Sequence, residues 1–183
     1  MYPFIRAAKE MLINRNAPAL PILGTHVSWH RCWPQDIDFF IEMNNGRILT
    51  VLDFGRTVLA QRVGLLKATR DNSWGITMAG SSVRYRKRIR PFVRFKAVHR
   101  CLGWDDKFFY LEHTIWIGAE CAVQALYRSA VTDKNGIVRP GTVFRAIGFE
   151  GDRPALPDWA QNWVDADATR PWPPVLPADL SGT

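Results

Sequence analysis

Acidic residues gather in a short loop just before the longest helical pattern of the chain. Asp36 and Asp38 lie in the segment 36–47, which leads into an amphipathic stretch over residues 48–68. The start of a helix offers unpaired backbone N–H groups and the positive end of the helix dipole. Such donors can hold a carbonyl oxygen while a carboxylate activates water or attacks the carbonyl carbon. This loop is therefore suited to hydrolysing an activated carbonyl compound.

The same loop resembles the signature of hotdog-fold acyl-CoA thioesterases of the 4-hydroxybenzoyl-CoA thioesterase-like group. That signature has the form Asp-x-Asp-x-x-Gly-His-Met/Val-Asn-Asn-x-x-Tyr, followed by a helix with an acidic-x-x-Arg step. The positions that match are Asp36, Asp38, Met43, Asn44, Asn45, Asp53 and Arg56. Three positions depart from it, because Ile41 replaces Gly, Glu42 replaces His and Ile48 replaces Tyr. The resemblance extends more weakly over residues 27–133.

The resemblance implies that Asp38, the second Asp of the signature, acts as nucleophile or general base at the thioester. An ordinary aspartate, with a pKa of about 3.9, is ionised at neutral pH, so both roles are open to it. Phe39, Phe40 and Ile41 follow Asp38 and can supply a dry wall beside the reacting carbonyl. The competing interpretation is that Asp38 only caps a turn or the helix.

Two backbone N–H groups and a second acid complete the predicted site. Asn45 and Gly46 would direct their N–H groups at the thioester oxygen from the start of the helix. Asp53 and Arg56 have a spacing that permits an ion pair on one helix, and a structural ion pair is the favoured interpretation. In some related hotdog proteins an acid on this helix is the catalytic one, which makes Asp53 the second candidate. Glu42 is a third acid in the loop, and we expect its side chain to face solvent.

Basic residues are concentrated between positions 84 and 96, and they account for much of the formal net charge of +7. This charge predicts an acidic partner. Arg86, Lys87, Arg88 and Arg90 are candidates for binding the phosphates of coenzyme A, because guanidinium groups match phosphate oxygens well. The competing explanation is a solvated sheet edge that its charges protect from aggregation.

The elements that must position these residues are a first strand, one long helix and then further strands. Residues 25–33 predict a first strand. Apolar residues recur every three or four positions over 48–68 and predict a single helix of about six turns with one buried stripe. Five strands are predicted at 75–80, 81–89, 93–102, 108–117 and 121–132. Their short connections indicate antiparallel neighbours.

This order of elements predicts an antiparallel α+β domain. The resemblance implies that it is a hotdog, in which an antiparallel sheet wraps around one long central helix. We predict an N-terminal helical extension and connector at 1–24, the hotdog domain at 25–147, and an extension rich in Pro and Trp at 148–183 with a helix at 159–166. We expect the tryptophans to pin this tail onto the domain. Phe4, Ile5, Ala8, Met11 and Leu12 share a helical spacing, which predicts a short amphipathic helix over 3–14. We expect this helix to pack on the domain, and contact with a membrane surface is the less favoured role.

Composition narrows the class of protein. Hydrophobic residues make up 47% of the chain, which excludes global disorder. No apolar run is long enough to cross a bilayer, and residues 1–23 lack a secretory pattern, so we expect a cytoplasmic protein. The three cysteines and four histidines show no ligand spacing, so we expect neither a disulfide framework nor a metal site. A serine hydrolase is not supported, because no Gly-x-Ser-x-Gly motif is present.

The residues and the resemblance together predict an enzyme that cleaves an acyl- or aroyl-CoA thioester with water. Coenzyme A would enter as part of the substrate, and no other cofactor is expected. The resemblance also implies a homodimer or a dimer of dimers, with sites between subunits. Two alternatives stay open. One is a non-catalytic hotdog protein that binds an acyl-CoA or an acyl carrier, and the less favoured one is a basic nucleic-acid-binding domain.

Overall fold

An antiparallel sheet curls around one central helix. The computed structural model describes residues 2–176. Its helices are α1 (Phe4–Ile13), α2 (Asn45–Arg62), α3 (Leu65–Asp71), α4 (Pro140–Ile147) and α5 (Asp158–Ala168), with a 3₁₀ turn at Pro34–Asp36. Its strands are β1 (Thr25–Arg31), β2 (Gly75–Tyr85), β3 (Arg94–Trp104), β4 (Phe109–Ile117), β5 (Glu120–Asp133) and β6 (Gly136–Val138).

The strand order is β1-β3-β4-β5-β2, and β6 pairs with the end of β5. All pairs are antiparallel. The buried stripe of α2, which includes Val51, Leu52 and Phe54, packs in one core with inward residues of the sheet such as Phe95 and Ile115. The predicted α+β hotdog fold is therefore confirmed.

The prediction that Asn44 or Asn45 caps the central helix is confirmed for Asn44, whereas the prediction of one unbroken helix to residue 68 is wrong. The helix begins earlier, at Asn45, because the side chain of Asn44 accepts hydrogen bonds from the N–H groups of Gly46 and Arg47 at 2.9 and 3.3 Å. It ends at Arg62, and Gly64 adopts a left-handed φ of +83° before α3 starts. The residues after the break form the separate helix α3.

The strands follow the predicted order with one merger. The segments predicted separately at 75–80 and 81–89 form the single strand β2, with an irregularity between Met78 and Gly80. Sequence patterns missed both β6 and α4. The latter places Phe144 against Trp104 and Phe109, with ring centroids 4.4 and 5.6 Å apart.

The C-terminal segment contains the predicted helix, extended at both ends. Trp163 packs near Tyr110 and Leu126, as expected for a residue that pins the tail. Trp172 does not, because 89% of its surface is exposed. Residues 177–183 of the predicted extension lie outside the described residues.

Helix α1 packs on the domain as expected, with Ala7 against the core, but most of the predicted apolar face is not the face that packs. Phe4, Ile5 and Leu12 point outward, and the inward face carries Arg6 and Glu10 instead. Over residues 2–176, no helix is both long and apolar enough to cross a membrane.

Candidate functional site along the central helix

Asp36, the first acid of the motif, is a buried structural residue. Its carboxylate accepts two hydrogen bonds from Arg6 Nη1, at 2.7 and 2.8 Å, and one from the Trp33 N–H at 3.0 Å. The Nε atom of Arg47 lies 3.3 Å from its Oδ1. These bonds fix α1, the loop and the start of α2 to one another.

Asp38 lies half-buried in a turn of the same loop. Its Oδ1 accepts a hydrogen bond from the Phe40 N–H at 2.9 Å, which is an Asx turn. Ile41 has a φ of +59°, a conformation that glycine adopts without strain, which explains why the resembled signature has Gly there. The expected dry wall does not form within the chain, because Phe39, Phe40 and Ile41 are all exposed.

The start of α2 presents one of the two predicted backbone donors. The Gly46 N–H is already bonded to the Asn44 side chain, so its predicted role at a thioester oxygen competes with this cap. The Asn45 N–H has no hydrogen-bond partner within the part of the chain that is described. Asn45 and Ile48 border a groove of about 250 Å³ with the segment 85–89. The structure therefore brings Asn45 together with Arg86, Lys87 and Arg88.

Most of the basic candidates already have protein partners. Arg88 pairs with Glu42 at 2.9 Å, and the Glu42 side chain is partly buried, so the expectation that it faces solvent is wrong. Lys87 pairs with Glu120, and Arg90 donates to the Ile41 carbonyl at 3.2 Å. The Arg86 side chain has no ion pair or hydrogen bond among residues 2–176, whereas its backbone N–H donates to the Ala122 carbonyl at 2.8 Å. It is the basic side chain of this groove that is most available to a ligand.

Asp53 and Arg56 form the predicted ion pair, with 2.7 Å between Oδ1 and Nη2. Burial raises the pKa of Asp53 above its ordinary value, and Arg56 opposes that rise. The Arg56 guanidinium also lies over the ring of Tyr127, 5.1 Å from its centroid. Arg56 Nη1 and the Tyr127 hydroxyl are buried without a hydrogen-bond partner among the described residues. Unused donors thus lie close to a carboxylate with a raised pKa.

A largely apolar cavity of about 310 Å³ begins at Arg56, the basic member of this pair, and Asp53 lies beside its lining rather than in it. Arg56 and Thr57 contribute to its wall, and the C-terminal half of α2, the sheet and α4 supply the rest. Its other lining residues include Leu59, Ala60, Val63, Leu111, Val131 and Val143. Sequence reasoning missed this cavity, because its far wall depends on α4.

The groove, the ion pair and the cavity lie along one face of α2. Asn45, Leu49, Asp53, Arg56 and Ala60 are spaced three or four residues apart, and such residues share a helix face. At a rise of about 1.5 Å per residue, the groove, the pair and the cavity follow one another at intervals of roughly 10 Å.

All four histidines are buried between the sheet and α2. His26 and His30 point inward from β1, as the predicted strand alternation requires. His99 and His113 face each other on β3 and β4, with their Nδ1 atoms 2.9 Å apart. Burial lowers the pKa of His26 and His30 to about 4 and holds those of His99 and His113 well below the ordinary value. No group of three or more His, Cys, Asp or Glu residues within 2–176 is placed to hold a metal ion.

Gly55 lets α2 approach this cluster. A Cβ atom at Gly55 would lie 2.0 Å from Nε2 of His99. The central helix can therefore seat on the histidines only if this position lacks a side chain.

Comparisons with known proteins agree with this architecture. A sequence profile described as the thioesterase-like superfamily matches residues 32–164. Protein THEM6 of Drosophila melanogaster is 35% identical over 146 residues, which cover 79% of this chain and 75% of that protein. Protein THEM6 of Xenopus laevis is 38% identical over 110 residues, covering 60% of this chain but only 53% of the frog protein. The solved structure of YbaW, a probable thioesterase from Escherichia coli, matches with a TM-score of 0.62 at 13% identity, over 66% of this chain and 95% of that one.

Proposed function

The chain belongs to the thioesterase-like superfamily, and we propose that it hydrolyses an acyl-CoA thioester to a free acid and coenzyme A. One observation carries this proposal. A single face of α2 presents a basic groove, a carboxylate beside unused donors, and an apolar cavity, in that order. This is the order of phosphates, thioester and acyl chain in an acyl-CoA molecule.

Asp53 is proposed as the general base. A carboxylate whose pKa is raised by burial is better matched to proton transfer near neutral pH than an ordinary aspartate. Asp53 takes a proton from water as the water oxygen attacks the carbonyl carbon. The tetrahedral intermediate then collapses, the C–S bond breaks, and the proton passes to the departing thiolate.

Arg56 is proposed as the group that stabilises the developing oxyanion. Its Nη2 is occupied by Asp53, but Nη1 is buried and has no hydrogen-bond partner among residues 2–176. A guanidinium N–H in a site that excludes water stabilises negative charge on the carbonyl oxygen. The Asn45 N–H lies about 12 Å along the helix from Asp53. That distance suits a role near the phosphate end of the ligand better than a role at the thioester.

Asp38 remains the alternative base that the motif predicts. Its carboxylate already accepts the Phe40 N–H, and no residue of its loop lines the apolar cavity, whereas Asp53 is paired with the lining residue Arg56. A second protomer could enclose Asp38. We propose a homodimer formed through β2, because this long strand lies at an edge of the sheet and edge strands offer unpaired N–H and C=O groups.

Release of free thiol from a panel of acyl- and aroyl-CoA thioesters tests this function. The wild type is compared with the double variant Asp38→Asn/Asp53→Asn, whose fold is checked by circular dichroism. We expect turnover by the wild type and background rates for the double variant. Equal turnover by both proteins would contradict carboxylate-assisted hydrolysis. Saturable binding of every thioester without turnover would identify a ligand-binding hotdog protein instead.

A further inference from the structure

Helix α1 is mounted with its apolar face outward. Phe4 and Ile5 expose 71% and 87% of their surface, and Leu12 on the next turns of the same face is also exposed. The opposite face holds the polar contacts, in which Arg6 binds Asp36 and Glu10 lies 3.8 Å from Nδ1 of His30. A surface helix of a globular domain ordinarily has the reverse orientation.

This orientation is fixed by the fold. The Arg6–Asp36 bonds are nearly buried, and Tyr2 packs edge-on against Phe54 of α2 at 5.9 Å. Breaking a buried pair of this kind to turn the helix over would leave the Asp36 carboxylate without its main partner. The contacts of α1 therefore keep Phe4, Ile5 and Leu12, which form the apolar ridge, on the outer surface.

A cluster of basic and aromatic residues adjoins the ridge. Lys9 of α1 borders a shallow groove with Trp29, Trp33, Arg31 and Arg94. Both indole rings are partly exposed and carry guanidinium groups above them, Arg94 at 4.6 Å from Trp29 and Arg31 at 5.8 Å from Trp33. Tryptophan with Arg or Lys beside an exposed apolar ridge is the composition that favours the interface of a bilayer.

The charges around the ridge distinguish between a second copy of the chain and a membrane as its binding partner. The acidic groups of this region, Glu10 and Asp36, face inward to His30 and Arg6. A second copy docked symmetrically would bring Lys9, Arg31 and Arg94 against the same set, because a two-fold interface pairs a patch with itself. Anionic lipid headgroups complement these cations instead.

We propose that α1, together with Trp29 and Trp33, is a docking surface for an anionic phospholipid membrane. The helix lies flat, its outward ridge enters the boundary between headgroups and acyl chains, and the basic residues contact the headgroups. Such binding is peripheral and does not depend on a spanning segment.

Vesicle flotation with the full chain tests this surface. Vesicles of phosphatidylcholine alone are compared with vesicles that also contain phosphatidylserine, at low and high salt. Three proteins are used: the wild type, Ile5→Gln/Leu12→Gln, and the matched control Ile137→Gln/Val175→Gln, which alters exposed apolar residues elsewhere. Because all these positions are exposed, equal melting temperatures should verify the folds.

We expect the wild type and the control to float with the anionic vesicles, and less so at high salt. The Ile5→Gln/Leu12→Gln variant should lose at least tenfold in apparent affinity. Failure of the wild type to bind, or equal binding by that variant, would overturn the proposal. So would analytical ultracentrifugation in which the substitutions dissociate a wild-type oligomer, because a second copy would then cover the ridge.

Discussion

Two of the three aspartates that match the family signature, Asp38 and Asp53, lie in different chemical environments. Asp38 is in a loop whose apolar neighbours face outward, and its carboxylate caps its own turn. Asp53 is on the central helix, where burial raises its pKa and an apolar cavity begins one turn further along. A motif can therefore identify a family without identifying the general base. The reactivity of a carboxylate depends on its burial and on neighbouring hydrogen-bond donors that have no partner.

The two regions are also held in place by different forces. Ion pairs and hydrogen bonds fix the loop, through Asp36, Glu42 and Arg88. Close packing fixes the middle of α2, where Gly55 sits against the ring of His99. Each region should therefore respond to a different perturbation.

Removing the buried acid of the loop should have the largest effect on stability. We expect Asp36→Ala to cost about 4 kcal/mol of unfolding free energy, because Arg6 and Arg47 lose their buried partner. The matched change Asp38→Ala should cost less than about 1 kcal/mol, since it removes only a turn hydrogen bond. Urea denaturation measures both values. Equal costs would mean that the two acids of the loop do not differ as described.

A methyl group at Gly55 should weaken the packing of α2 on the sheet. We expect Gly55→Ala to destabilise the fold by about 3 kcal/mol, because the new Cβ overlaps the buried His99 ring. Gly141→Ala in α4 is the control, since its Cβ would meet nothing within 4 Å. Thermal melts of the two variants should differ widely. A Gly55→Ala variant as stable as the wild type would show that α2 does not depend on this contact.

Acid should loosen the middle of α2 through the buried histidines. Between pH 6.5 and 4, His26 and His30 bind protons in the unfolded chain but stay neutral in the folded protein. The free energy of unfolding therefore falls as the pH falls. At about 1.4 kcal/mol per pKa unit and per ring, we expect His26 and His30 together to account for a loss of roughly 3 kcal/mol between pH 6.5 and 5, and His99 and His113 to add to it in the same direction. Urea midpoints across this range measure it. The His30→Gln variant should show a flatter slope, and a pH-independent wild type would contradict the account.

Filling the cavity should alter substrate choice rather than stability. We expect Ala60→Phe to lower turnover of a long-chain acyl-CoA by roughly tenfold or more, while acetyl-CoA turnover changes little, because the ring occupies space for the chain. Ala119→Phe, in the exposed β4–β5 turn, is the control. Equal losses for both substrates would place the acyl chain elsewhere.

The sequence predicts the fold well and the site only in outline. The β-branched and aromatic residues of 25–33 correctly predict a strand, and the apolar stripe of α2 correctly predicts a buried helix, while the wrapping of the sheet around that helix came from the resemblance. The signature identifies Asp38 and Asp53 as candidates but not their surroundings. The outward ridge of α1 could not be predicted, since its helical spacing does not reveal that Arg6 has a buried partner in Asp36. The cavity depends on α4, whose short sequence around Phe144 carries too few turns to be recognised.

The most direct test compares Asp53→Asn with Asp38→Asn in kcat for one good acyl-CoA substrate. Asn keeps the size of each side chain, so loss of the charge is the main change. We predict a fall of about 10³-fold for Asp53→Asn, as expected for loss of a general base, and less than about threefold for Asp38→Asn. The wild-type rate should also decline in acid at a pH above the ordinary aspartate range, because the pKa of Asp53 is raised. A large fall for Asp38→Asn with Asp53→Asn near wild type would contradict the account and assign the base to the loop.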